Sequence, residues 1–127
     1  MKIIIAGAGE VGRHLAKMLS SENQDIVLMD NDENRIKDLD GNYDLLTKVG
    51  SPTSIKDLEE AGVAEADLFI AVTPEESINM TACMLANNLG AHKTLARIDN
   101  YEYSQPKNKD FFEKLGVVKN TKNKTEQ

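Results

Sequence analysis

The chain has 127 residues, of which 40% are hydrophobic and 28% charged, a composition typical of one folded domain and not of a disordered chain. Its formal net charge is -6, so we expect no nucleic-acid partner, because a phosphate backbone is bound through a basic face. The apolar runs are far shorter than the ~18 residues of a membrane span, and the first strand pattern begins without a leader pattern. We therefore expect neither membrane insertion nor secretion, and the single cysteine, Cys83, suits a reducing compartment.

The first thirty residues contain the strongest motif. An apolar run, Lys2–Ala6, predicts a strand, the glycine turn Gly7–Gly12 follows it, and Arg13–Leu19 has the spacing of a helix. A second apolar run, Ile26–Met29, predicts strand two and ends on Asp30, 18 positions after the last glycine. A G-x-G-x-x-G motif between a strand and a helix, with an acidic residue about 20 positions further on, is the fingerprint of dinucleotide binding. We therefore predict that the chain binds a nucleotide.

The rest of the chain continues the alternation of strands and helices. The predicted strands are strand three at Tyr43–Val49, strand four at Asp67–Val72, strand five at Lys93–Ile98 and a sixth strand beginning at Val117-Val118. The predicted helices are a short helix after Asn31 or Asp32 that ends at Gly41-Asn42, a helix from about Thr53 to Ala61, a helix from about Glu76 to Asn88, and a short helix with Phe111, Phe112 and Leu115. This order predicts an α/β fold, a Rossmann-type doubly wound parallel sheet of about six strands in the order 3-2-1-4-5-6, with helices on both faces. We expect residues 1–119 to form this domain and residues 120–127 to form a polar, disordered tail.

Ligands of such sheets bind at the carboxyl ends of the strands, beside the point where the strand order reverses. The stretches at these ends are Gly7–Gly12, Asp30, Gly50-Ser51, Ala71–Thr73 and Arg97. We therefore expect them to meet in one crevice.

The glycines of the first turn have separate roles in the fingerprint. Gly7 makes the tight turn, Gly9 lets the backbone approach a pyrophosphate, and Gly12 allows the helix to pack closely on the strand. The backbone N–H groups at the helix start, around Glu10 and Val11, then face the negative charge. A plain glycine turn is the alternative, and the acidic residue that ends strand two makes it the weaker one.

Two carboxylates are expected to select among nucleotides. Asp30 would accept hydrogen bonds from ribose hydroxyls, and its charge would repel a 2′-phosphate, which favours NAD over NADP. Arg35 could oppose this preference, but it lies further along the next helix, where a solvated face is the simpler interpretation. Glu10 either excludes the extra charge of ATP or is an exposed acid stabilised by the helix dipole, and both interpretations stay open.

Three polar residues have both a functional and a structural interpretation. Thr73 either donates its hydroxyl to the ligand or simply ends a strand before Pro74. Arg97 either pairs with phosphate through its guanidinium or forms a salt bridge to Asp99. Asn79 is interpreted only as a polar neighbour of a helix start.

The sequence contains no recognisable catalytic constellation. His14 and His92 are far apart and belong to no cluster of ligands, so we expect no metal site. Tyr103 and Lys107 have the Y-x-x-x-K spacing of short-chain dehydrogenases, but Pro106 interrupts the helix that would hold them. Since no nucleophile or acid–base pair remains, we expect no enzymatic activity.

Several segments together are more specific than the glycine motif alone. They are Lys2–Gly12, Val27–Asp32, Leu58–Val63, Ala66–Thr73 with Glu76, Asn79 and Met80 following, Leu95–Ile98 and Phe112–Val117. On these segments the chain, from Met1 to about Val118, resembles the N-terminal nucleotide-binding domain of the TrkA family, the RCK or KTN domains. These domains are cytosolic regulators of bacterial potassium uptake and of some potassium channels.

The resemblance implies a regulatory subunit or fragment of a Trk- or Ktr-type potassium uptake system, cytoplasmic and peripheral on the inner face of the membrane. It implies self-assembly into a dimer or larger ring, docking on a membrane potassium transporter subunit, and binding of NAD(H), with AMP, ADP or ATP as further candidates. ATP-responsive relatives typically have arginine where this chain has Glu10, which favours NAD(H), and the family usually has Gly-Asp at Gly50-Ser51. The candidate ligand contacts are Gly7, Gly9, Glu10, Val11, Gly12, Asp30, Asn31, Gly50, Ser51, Thr73 and Arg97.

Two other functions stay open. The first is the NAD-binding domain of a truncated dehydrogenase, which the lack of catalytic residues disfavours. The second is a nucleotide-binding domain that serves only assembly. Regulation is the preferred prediction.

Overall fold

The computed structural model describes residues 1–37, 39 and 43–114, and in this part five parallel strands form one sheet in the order β3-β2-β1-β4-β5. The strands are β1 Lys2–Ala6, β2 Asp25–Asp30, β3 Leu46–Val49, β4 Leu68–Ala71 and β5 Lys93–Ala96. The predicted α/β class and the predicted order of strands one to five are confirmed. Outside the described residues lie the predicted sixth strand at Val117-Val118, the tail at 120–127, Leu115 and the helix end at Gly41-Asn42.

Five α-helices and three 3-10 turns connect or follow these strands in the described ranges. The helices are α1 Glu10–Ser20, α2 Glu33–Ile36, α3 Ile55–Glu60, α4 Glu76–Leu89 and α5 Lys109–Lys114, and the 3-10 turns are Val63–Glu65, Tyr101–Ser104 and Pro106–Asn108. α3 begins later than predicted because Ser54 is its N-cap, with Oγ accepting a hydrogen bond from the Asp57 N–H at 3.1 Å. β3 begins at Leu46 instead of Tyr43, where its pairing with β2 starts. None of the described helices combines the length and the apolar character needed to cross a membrane.

The middle strand β1 supplies side chains to two separate cores. Ile4 and Ala6 join one hydrophobic cluster, which α3 and α4 cover, and Ile3 and Ile5 join the other, which α1 and α2 cover. None of these four side chains is more than 3% exposed. A parallel strand covered on both faces is apolar on both faces, which explains why the residues of β1 after Lys2 form an uninterrupted apolar run. Helices therefore lie on both faces of the sheet, as predicted.

The thiol of Cys83 is expected to be inert in the folded protein. Cys83 lies in α4 and is fully buried, and burial raises its pKa to about 12, outweighing the opposing hydrogen bonds with the backbone of Ala71 and Leu95. Since the thiolate is the reactive form, an aromatic disulfide reagent at about pH 8 should modify Cys83 on the order of 100-fold more slowly in the native protein than in urea. The reaction is monitored by the absorbance of the thiolate released from the reagent. Equal modification rates in the native and the urea-unfolded protein would contradict the burial of Cys83.

Candidate functional site

Two of the glycines in the first turn are required by the packing of the chain itself. Gly7 has a φ of +114°, in the left-handed region that glycine adopts without strain, and its N–H donates to the Met29 carbonyl at 2.9 Å. A Cβ on Gly12 would overlap the carbonyl oxygen of Gly7. The turn can therefore bring α1 against the end of β1 only with glycine at both positions.

Gly9 is different, because the described residues place no atom within 4 Å of a Cβ built on it. Its φ of -77° and ψ of -163° are open to any residue. Gly9 is the N-cap of α1 and supplies no side-chain capping bond, while Glu10 and Val11 in the first turn are exposed. The first N–H groups of a helix have no partner inside the helix, so this open space is suited to an anion.

Asp30, the last residue of β2, is only 5% exposed. Its Oδ2 accepts a hydrogen bond from the Ala8 N–H and its Oδ1 accepts one from the Asp32 N–H, each at 2.8 Å. One carboxylate therefore braces the glycine turn against the end of β2. An ionised carboxylate has roughly four acceptor sites, so these two bonds leave capacity for a ligand donor such as a ribose hydroxyl.

Arg35 lies beside Asp30, and its side chain is 48% exposed, in agreement with the solvated helix face that was preferred from the sequence. Its Nη1 is 3.6 Å from Asp30 Oδ2 and its Nε is 3.6 Å from Asp32 Oδ2. α2 begins directly after β2, with the Asp32 side chain accepting a bond from the Asn34 N–H, and this short helix turns Arg35 back over the strand end. The spacing of Asp32 and Arg35, three residues apart, is the signal that could have predicted the contact.

A cleft of about 240 Å³ opens at the carboxyl ends of the strands. Five of the predicted positions line it, namely Gly7, Asp30, Asn31, Ser51 and Thr73. The sequence missed six further lining residues, Arg35, Pro52, Thr53, Pro74, Glu75 and Ile78. The remaining predicted positions, Gly9, Glu10, Val11, Gly12, Gly50 and Arg97, lie outside this lining. Four of the five strand ends thus contribute to one cleft, and the end of β5 does not.

The loop after β3 is held by a carboxylate from α3. The Gly50 N–H donates to the Asp30 carbonyl at 3.0 Å, and the Ser51 N–H donates to Asp57 Oδ2 at 2.9 Å. The hydroxyls of Ser51 and Thr53 share a hydrogen bond of 3.0 Å. Asp57 therefore supplies a carboxylate to this loop, although residue 51, where the family usually has aspartate, is a serine.

Arg97 follows β5 and forms the ion pair that the sequence offered as one alternative. Its Nε lies 3.6 Å from Asp99 Oδ1. Its backbone carbonyl accepts a hydrogen bond at 2.9 Å from the Nδ2 of Asn79. A phosphate contact for the Arg97 guanidinium stays a prediction.

Asn79 is the residue whose role the sequence interpretation underestimated. It is 1% exposed, and its side chain forms hydrogen bonds with Thr73 N, Oγ1 and O, at 2.9, 2.7 and 2.9 Å. It shares the buried face of α4 with Ala82 and Cys83. The signal in the sequence is that Asn79 has the helical spacing of the apolar residues on the buried face of α4. A buried amide needs hydrogen-bond partners, so this position could have identified Asn79 as a residue with a structural role.

The cleft is more acidic than basic. Of its described lining residues, Asp30 and Glu75 are anionic and Arg35 is the sole cation, and the exposed Glu10 adds a further negative charge at the start of α1. Positive potential at the phosphate end therefore depends on the N-terminus of α1.

The described ranges contain no group of three His, Cys, Asp or Glu residues able to hold a metal ion. Tyr103 and Lys107 lie on different 3-10 turns, so their Y-x-x-x-K spacing does not form a helical pair. Interpreting that spacing as chance agrees with this geometry.

Comparison with known proteins assigns a family to the chain. Residues 3–120 match the model of the TrkA-N domain. The chain is 48% identical over 112 residues to the Trk system potassium uptake protein TrkA of Haemophilus influenzae, an alignment that covers 87% of this chain and 24% of that protein. It is 34% identical over 117 residues to the TrkA homolog of Methanothermobacter thermautotrophicus, which covers 92% of this chain and 52% of that protein. The chain therefore spans about a quarter and about half of these two relatives.

Solved structures with the same fold are more distant in sequence. The TrkA-N domain of inner membrane protein ybaL from Escherichia coli superposes with a TM-score of 0.80 at 16% identity, over 98% of this chain and 91% of that one. The GsuK channel bound to NAD superposes with a TM-score of 0.71 at 22% identity, over 92% of this chain and 21% of that one. These likenesses confirm the Rossmann-type fold.

The two hydrogen bonds that the Asp30 carboxylate accepts predict that Asp30→Ala lowers the stability of the protein. Without the carboxylate, the N–H groups of Ala8 and Asp32 lose their acceptors, at a cost of about 1–3 kcal/mol for each buried donor left unpaired. We expect the free energy of unfolding, measured in urea by circular dichroism, to fall by about 2 kcal/mol or more. Asp32→Ala is the control, because its side chain is 43% exposed, caps Asn34 and pairs with the half-exposed Arg35, and its loss should cost about 1 kcal/mol. If Asp30→Ala had the free energy of unfolding of the wild type, the Asp30 carboxylate would not stabilise the glycine turn.

Proposed function

The chain belongs to the TrkA-N domain family, and from this premise we propose that it is a nucleotide-sensing regulatory domain of a bacterial potassium uptake system. In this proposal it binds NAD(H) at the cleft, performs no chemistry on it, and changes the state of an assembly that controls a membrane potassium transporter. The relatives cited above are named potassium uptake proteins and not enzymes. The proposal extends their association with potassium uptake to this chain.

One observation carries the binding part of the proposal. Gly9 is a glycine at a position where the packing of the described residues does not require one, unlike Gly7 and Gly12. The space that its missing side chain leaves lies at the start of α1, an 11-residue helix, where a pyrophosphate would accept hydrogen bonds from the first N–H groups. Asp30 lies next to this turn and has acceptor capacity for ribose hydroxyls.

Charge and volume favour NAD(H) among the candidate nucleotides. Glu10 and Glu75 would oppose the extra negative charge of ATP, and Asp30 would oppose the 2′-phosphate of NADP. A cleft of about 240 Å³ is smaller than the ~300–1,000 Å³ of typical ligand sites. We therefore assign the cleft to the adenosine half of the ligand, with the pyrophosphate on the glycine turn. AMP and ADP, which share the adenosine half, are the next candidates.

Regulation requires that the nucleotide bind two states of an assembly with different affinity. Couplings of this kind are typically ~1–3 kcal/mol. We propose a homo-oligomer, a dimer or a larger ring, that docks on the transporter from the cytoplasmic side and is peripheral to the membrane. The dehydrogenase alternative would need a proton-transfer pair, which the described residues of the cleft do not supply.

Gly9→Ala tests the binding part most directly. The new Cβ has open space and an ordinary φ, while alanine is a poorer N-cap than glycine, so the variant should fold with a free energy of unfolding within about 1 kcal/mol of the wild type. By calorimetry we expect NADH to bind at least about tenfold more weakly, because the methyl group occupies the path of the pyrophosphate. Gly12→Ala is the counterpart, expected to lose stability through its overlap with Gly7.

The outcomes separate the parts of the proposal. Wild-type affinity of Gly9→Ala for NADH would remove the glycine turn from the site. Absence of binding of NAD, NADH, AMP, ADP and ATP to the wild-type protein would overturn the proposed function.

Glu10→Arg tests the charge selection. Replacing a negative by a positive charge at the start of α1 changes the local charge by two units and should improve ATP binding relative to NADH about threefold to thirtyfold, since each unit of charge at a helix terminus contributes ~0.3–1 kcal/mol. Glu22→Arg, past the other end of α1, makes the same change in charge and should leave the ratio unchanged. An unchanged ratio of the two dissociation constants in Glu10→Arg would remove Glu10 from the selection.

A further inference from the structure

The side chain of Asn79 is buried with its full set of hydrogen bonds. Its Oδ1 accepts from Thr73 N–H at 2.9 Å and lies 2.7 Å from Thr73 Oγ1. Its Nδ2 donates to the carbonyls of Thr73 and Arg97, both at 2.9 Å. Two carbonyls on one side and an N–H on the other determine which amide atom is oxygen and which is nitrogen.

This orientation decides the chemistry that Thr73 presents to the cleft. The Thr73 hydroxyl has one proton and two acceptors within reach, Asn79 Oδ1 at 2.7 Å and the Glu75 carbonyl at 3.1 Å, and the shorter contact favours donation to Asn79. Thr73 Oγ1 also accepts from the Glu75 N–H at 3.3 Å. Because the proton is used by acceptors within the protein, Thr73 Oγ1 can only accept from a ligand in the cleft that Thr73 lines. Thr73 is therefore oriented as an acceptor, whereas the functional one of its two sequence interpretations was a donor.

The same turn of α4 also holds the segment that follows β5. Besides the bond from Asn79 to the Arg97 carbonyl, Glu76 Oε2 accepts from the N–H groups of Asp99 and Asn100, each at 2.8 Å. The start of α4 is therefore shared by the cleft and by residues 97–100. Asn79 is the side chain that contacts both Thr73 and this segment, and Glu76 holds two further N–H groups of the segment.

We propose that Asn79 is a positioning residue of the nucleotide site, which orients the Thr73 hydroxyl to accept from a hydroxyl or N–H donor of the nucleotide and links that contact to residues 97–100. The proposal rests on the function proposed above, since it requires a nucleotide in the cleft. Asn79 itself, at 1% exposure, acts only through Thr73 and the backbone.

A double-mutant cycle on NADH binding tests the link to Thr73. Thr73→Val removes the hydroxyl at constant shape, and Asn79→Ala removes the group that orients it. Each variant should weaken NADH binding about fivefold to tenfold, as expected for one hydrogen bond, and the double variant should be no weaker than the worse single one. Asn88→Ala is the matched control, because Asn88 is exposed on the same helix and its side chain donates to the Met84 carbonyl, away from the cleft lining.

Some outcomes would overturn the proposal. Independent effects that multiply in the double variant would mean that Asn79 does not act through Thr73, and unchanged NADH affinity of Thr73→Val would mean that the hydroxyl does not contact the ligand.

A second measurement does not require Asn79→Ala to fold. In the wild-type protein, saturating NADH should slow amide hydrogen exchange of Asp99 and Asn100 at least about threefold, and saturated Thr73→Val should lose this protection. NADH binding with unchanged exchange at both amides would overturn the link while leaving the proposed function intact. Absence of binding of both NADH and AMP would overturn the proposed function, and this inference with it.

Discussion

The carboxylate of Asp30 is the contact on which the geometry of the cleft depends. It lies at the end of β2, yet one of its oxygens holds the Ala8 N–H of the glycine turn and the other holds the start of the α2 segment. Because the carboxylate is almost fully buried, a change there would leave donors without partners. The residue that the fingerprint assigns to the ribose thus also maintains the shape of the turn that would hold the phosphates.

The rest of the cleft follows from the parallel sheet. Parallel strands place all their carboxyl ends at one edge, and residues at or after the ends of β1, β2, β3 and β4 line the cleft there. The N-terminus of α1 provides the positive end of a helix dipole at the same edge. Since Arg35 is the sole cation among the described lining residues, a proposed ligand with few phosphate charges fits this balance better than a triphosphate.

Membership in the TrkA-N family and the proposed sensing role have different support. The family rests on a match over residues 3–120. The sensing role extends the names of relatives of which this chain covers a quarter to a half, together with the geometry of Gly9 and Asp30. In the described part of the chain, Asn79 contacts both Thr73 of the cleft and the Arg97 carbonyl, and Glu76 accepts from Asp99 and Asn100; the proposed link from the cleft to residues 97–100 rests on these contacts.

The sequence by itself determined the alternation of strands and helices, the order of the first five strands, and five of the lining residues. These features depend on local patterns, because apolar runs, glycine turns and helix caps act over a few residues of backbone. Tertiary structure alone decided the partners of the polar side chains. Arg35 folds back onto Asp30, Asn79 reaches Arg97 across 18 residues of sequence, and the Thr73 hydroxyl is oriented as an acceptor. Spacing along the chain can indicate that Arg35 is near Asp32 and that Asn79 is buried, but the partner atoms depend on which segments become neighbours in the fold and on which buried donor has no other acceptor.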